Sequence, residues 1–105
     1  MQKQITELAK VIRSKNCSPF ELTMDIIFLE KADYELVKKN NGINAKMLAA
    51  IYNVCPTKIN KVVYFDPACA VKICMDRPIS SGAPGDTDVY GAQQHGPLLS
   101  ILLDI

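Results

Sequence analysis

A chain of 105 residues with an apolar share of 49% can bury one small core but not two, so a single domain over residues 1–105 is expected. Twelve basic and eleven acidic residues leave a net charge of +1, which excludes the basic footprint of a nucleic-acid binder. No apolar run approaches the roughly 20 residues that cross a bilayer, and MQKQITELAKVIRSK has no signal-peptide core, so the sequence predicts a cytoplasmic protein without a membrane span.

Residues 5–13, ITELAKVIR, admit two readings. Ile5, Leu8, Ala9 and Ile12 fit a helical face, and Leu8 to Arg13 equally fits a buried strand running into a loop. The polar stretch Arg13-Ser14-Lys15-Asn16 ends at Ser18-Pro19. Residues 20–29, FELTMDIIFL, predict a strand with Leu22, Met24, Ile26 and Phe28 on one face. Asp25 falls on the other face, where a charged side chain needs solvent or a partner.

Residues 31–40 predict a short helix with Tyr34, Leu36 and Val37 as its apolar stripe and Gly42 as its C-cap. Asn44 is placed to cap a second helix through Tyr52, with Met47, Leu48 and Ile51 inward. KVVYF (61–65) predicts a strand broken by Asp66-Pro67, and AVKICM (70–75) a second one, joined to the first as a hairpin or a bend. LLSILLDI (98–105) predicts a last apolar strand. Strands on both sides of a helical pair give an α+β fold: a mixed or antiparallel sheet of about four strands with two short helices on one face.

Between the last two predicted strands lies SGAPGDTDVYGAQQHGPLL (81–99), with four of the five glycines and the one histidine. Ala83-Pro84-Gly85-Asp86 suits a type II turn. Asp86 or Thr87 can cap a short helical turn, and Gly96-Pro97 can close it. The expectation is a long, ordered, glycine-rich loop. Asp86 and Asp88 at a helix start repel a phosphate there. His95 titrates near neutrality and offers general acid–base chemistry, although a hydrogen-bonded loop histidine is the blander role. Backbone capping is likewise the blander role for the two acids. Gln93 and Gln94 supply amide donors and acceptors.

Arg13, beside Lys15 and Asn16, can grip a carboxylate in bidentate fashion, or pair internally with Asp25, Asp86 or Asp88. A pairing with Asp86 or Asp88 would join the two polar segments into one site. Cys17, Cys55, Cys69 and Cys74 show no CxxC spacing, so neither a metal site nor a cofactor is expected, and the thiols are expected reduced and mostly buried.

The stretches RSKNCSPFELTMDII (13–27), FDPACAVK (65–72) and SSGAPGDTDVYGAQQHGPLL (80–99) resemble the signature segments of the domain of unknown function 4387 family. Arg13, Asn16, Asp25, Asp66, Asp86, Thr87, Asp88, Gln93, Gln94 and His95 match its motif positions. Cys17 and Ser18 stand where the family has a small residue and a glycine, and Ala83 replaces an acid before the PGDTD turn. That loss weakens any metal site built from three carboxylates. The family has no established activity. The resemblance implies a gene neighbour of the AtuA-like (acyclic terpene utilisation) proteins, which often carry a ferredoxin-like C-terminal domain of similar size, and so a ferredoxin-like fold here.

The leading expectation is a small accessory subunit of a multi-protein, lyase- or hydratase-type enzyme with an AtuA-like large subunit, acting in carboxylic acid or acyl-CoA catabolism. In that role Arg13, Lys15, Asn16, Asp25, Thr87, Gln93 and Gln94 contact substrate or partner. One alternative is a stand-alone lyase or hydratase using His95 with Asp86 or Asp88. Another is a non-catalytic interaction module whose loop serves an oligomer contact.

Overall fold

The structure is a computed structural model that describes residues 2–18, 20–76 and 96–104, with the backbone alone for 16–18, 96–97 and 104. In chain order the elements are β1 (Gln2–Gln4), α1 (Ile5–Leu8), β2 (Ala9–Ser18), β3 (Glu21–Phe28), α2 (Lys31–Asn40), α3 (Ala45–Tyr52), β4 (Ile59–Phe65), β5 (Ala70–Asp76) and β6 (Leu102–Asp104). Short 3-10 turns at Pro56–Lys58, Asp66–Ala68 and Gly96–Ser100 punctuate them.

The alternation of Leu22, Met24, Ile26 and Phe28 sets the architecture. A strand sends successive side chains to opposite faces, and all four are buried on one face of β3. Antiparallel β2 and β5 flank β3, and β4 closes the sheet in the order β2-β3-β5-β4. Val71, Ile73 and Met75 of β5 and Ile59 of β4 continue the same buried layer. Tyr34 and Val37 of α2 and Leu48 and Ala49 of α3 complete that core. The result is an α+β domain built as hairpin, helical pair, hairpin. Each fully buried aliphatic or aromatic side chain contributes about 1.5–3 kcal/mol.

The helix ends follow local chemistry. The Asn44 side chain accepts a 2.9 Å hydrogen bond from the Met47 N–H, the expected N-cap. Asn41, not Gly42, takes the left-handed conformation (φ 49°) at the end of α2, because a short amide side chain tolerates that region. Gly42 is not that cap: a Cβ there would meet the side chains of Leu103 and Val37 at 3.4 Å, an ordinary van der Waals contact.

Both readings of residues 5–13 hold in part, one helical turn over Ile5–Leu8 and then strand from Ala9. Four further expectations are corrected. β2 carries Arg13 to Asn16 in the ladder rather than in a loop. Leu36 lies on the outer side of α2 and is 43% exposed; only Tyr34 and Val37 reach the core. The apolar tail is a 3-10 turn followed by the three-residue β6, which pairs with β1 in a small second sheet. Of the thiols whose side chains are described, Cys69 and Cys74 are half-buried and Cys55 is exposed.

Candidate functional site

Cross-strand partners in an antiparallel ladder share a face, so the register places the polar residues. Arg13 pairs with Asp25, Asp25 with Lys72, and Lys72 with Val63. This row crosses all four strands on the face turned away from the core. One step along, Lys15, Thr23, Cys74 and Lys61 make a second row. The buried residues of α1, α2 and α3 all belong to the core on the opposite side.

Asp25 is the anomaly of this reverse face. Its side chain is only 8% exposed, while that of Arg13 is 62% exposed. Arg13 Nε donates a 3.0 Å hydrogen bond to Asp25 Oδ2. Asp25 Oδ1 is buried and has no hydrogen-bond partner among the described residues. Such an orphan acceptor costs about 1–3 kcal/mol. Lys72, directly opposite, does not fill the gap: its Nζ rests 5.0 Å from the centroid of the Phe65 ring in a cation–π contact.

The sequence-derived site residues therefore divide into two groups. Arg13 and Asp25 are brought together as an ion pair, the internal pairing that competed with ligand binding. Lys15 is exposed on the same face, and the Asn16 backbone pairs with Leu22. Asp86, Thr87, Asp88, Gln93, Gln94 and His95 lie outside the described residues, as does any meeting of Arg13 with the glycine-rich segment.

A second polar cluster joins residues far apart in the sequence. The Tyr34 hydroxyl donates a 2.6 Å hydrogen bond to Asp66 Oδ1, and Lys38 Nζ reaches both carboxylate oxygens at 2.8 and 2.9 Å. Helix α2 presents both donors on one side because they lie four residues apart. The Lys38 ammonium, then the Tyr34 hydroxyl, hold the Asp66 carboxyl below its ordinary value. Burial, reinforced by the bond to Asp66, pushes the Tyr34 phenol well up. The hint available in sequence was Asp66 itself, a matched position in FDPACAVK. This cluster ties α2 to the turn between β4 and β5. A groove of about 780 Å³ runs beside it, lined by Ala32, Glu35, Leu36, Lys38 and Lys39. Its lining includes neither Arg13 nor Asp25.

Asn60 Nδ2 donates to Glu21 Oε2 and Asp76 Oδ1, both at 2.9 Å, and so bridges two acids that face each other across β3 and β5. Among the described residues no group of three His, Cys, Asp or Glu side chains is placed to hold a metal ion. No described helix is long and apolar enough to cross a membrane.

No match was found among curated proteins or among solved structures. One family model does match, that of a domain of unknown function, DUF4387, over residues 5–102. It takes in every described strand of the main sheet and the three described helices. With nearly the whole length matched, the chain belongs to the DUF4387 family.

Proposed function

We propose that this chain is a small accessory subunit of a cytoplasmic, multi-protein enzyme of lyase or hydratase type. Its partner is an AtuA-like large subunit, and the substrates are carboxylic acids or their CoA thioesters. The observation that carries this reading is the unfinished polar site at Asp25. A buried carboxylate oxygen with no donor among the described residues, beside an exposed guanidinium, is a half-built binding feature. In a complex, a substrate or a partner group supplies the missing donor, and the cost of the orphan is recovered on assembly. The other described clusters are internally satisfied: Asp66 by Tyr34 and Lys38, and Glu21 and Asp76 by Asn60. Phe65, 42% exposed beside Lys72, adds apolar contact area to the same face.

The test is affinity purification of the tagged chain co-expressed with the AtuA-like protein. Stoichiometric co-elution is expected. Separate elution, together with turnover by the isolated chain that His95→Ala abolishes, replaces this reading with a stand-alone hydratase.

A further inference from the structure

We propose that Asp25, Arg13 and Lys72 form a subsite for a small hydroxycarboxylate, whose hydroxyl donates to Asp25 Oδ1 while its carboxylate is held by Arg13 and Lys72. This deepens the accessory-subunit reading by naming a substrate class, and it rests on that reading for its biological role.

The argument starts from what each group still lacks. Asp25 Oδ2 is taken by Arg13 Nε, and Oδ1 needs a donor. Among the described residues Arg13 commits only Nε, and the two terminal nitrogens of its planar fork have the geometry to hold an anion. Lys72 stands directly opposite Asp25 in the ladder, and among the described residues its ammonium rests against the Phe65 ring alone. The subsite thus pairs one acceptor with two cations.

A metal ion or an ammonium group meets the acceptor but is repelled by Arg13 and Lys72. A simple carboxylate satisfies the cations and leaves Oδ1 empty. A molecule with a neutral hydroxyl next to its carboxylate satisfies all three. Both charges on the protein side lie at the exposed rim, Arg13 at 62% exposure, so the ligand approaches through them. Sites built to receive a hydroxyl discriminate strongly against analogues without it, because the buried polar group is then left unpaired.

The test is amide-resolved NMR titration of the full chain with lactate, with propionate (no hydroxyl) and propane-1,2-diol (no carboxylate) as comparisons. Lactate is expected to shift the amides of residues 13, 25 and 72 saturably and to bind about tenfold tighter than propionate; the diol is expected to shift none of them. Asp25→Asn has a definite consequence. Arg13 Nε must donate to the amide oxygen, which puts the amide NH2 where Oδ1 was, turning an acceptor into a donor. The lactate preference over propionate should then fall to near unity. Arg13→Gln, a change at an exposed side chain, should weaken lactate about tenfold and covers the case in which Asp25→Asn does not fold. Equal binding of lactate and propionate, shifts located elsewhere, or affinity untouched by Arg13→Gln would overturn the subsite. The titration reads the chain alone, so co-elution with the AtuA-like protein without lactate binding sinks the subsite only. Lactate binding without co-elution sinks the accessory reading only.

Discussion

Arg13 Nε and Asp25 Oδ2 lie 3.0 Å apart across the β2–β3 ladder, an exposed cation covering a buried carboxylate. Removing the cation alone strands the charge. Arg13→Met should therefore lower stability by about 1–2 kcal/mol, less than a fully buried pair would lose because solvent reaches the guanidinium. Arg13→Met with Asp25→Val removes the orphan Oδ1 as well. The double variant should match or exceed the parent in urea unfolding. A double variant less stable than Arg13→Met would show that Asp25 is already satisfied in the folded chain.

Tyr34→Phe should cost about 1 kcal/mol, since it removes a short hydrogen bond from a buried ring to a carboxylate that water can rehydrate. Lys38→Met should change stability by less than about 0.5 kcal/mol, because Lys38 and Asp66 are both exposed. Thermal unfolding of the two variants checks the ranking.

The tyrosines set an alkaline limit. Burial raises the phenols of Tyr34, Tyr52 and Tyr64 above their ordinary value of 10. A raised folded value means stability that is complete below about pH 10 and lost as pH climbs towards the folded values. Asp66, held low, acts at the other end: its contribution is present above about pH 4 and fades as acid titrates it. The urea midpoint should be flat from about pH 5 to 9 and fall above about pH 10, a loss that Tyr34→Phe reduces.

Cys69 closes the β4–β5 connection at φ 49°, the left-handed region. A β-branched side chain is strained there, so Cys69→Val should destabilise by about 1–2 kcal/mol, whereas Cys69→Gly relieves the backbone. Urea denaturation distinguishes the two.

Much of this fold is legible before the coordinates. The period-two run Leu22-Met24-Ile26-Phe28 specifies both strand and face, and the bounds of α2 and the Asn44 cap follow from local chemistry. What escapes has no local pattern. Gln2–Gln4 is a polar tripeptide whose pairing with Leu102–Asp104 joins the two ends of the chain, and nothing in QKQ announces a strand. Leu36 is apolar yet outward, because Tyr34 and Val37 already fill the core side of α2. At the site, Asp25 is visible as a misplaced charge, but its pairing with Arg13 depends on the register, and bulges at Ala9/Val11 and Asn16/Ser18 shift that register. Tyr34, Lys38 and Asp66 meet only in three dimensions.

The accessory-subunit account is tested most directly by reconstitution. Conversion of a carboxylic acid or CoA-thioester substrate is measured with this chain alone, with the AtuA-like protein alone, and with both together. The account predicts turnover only in the mixture, reduced by Asp25→Asn in this chain. Full turnover by the AtuA-like protein without this chain would contradict it.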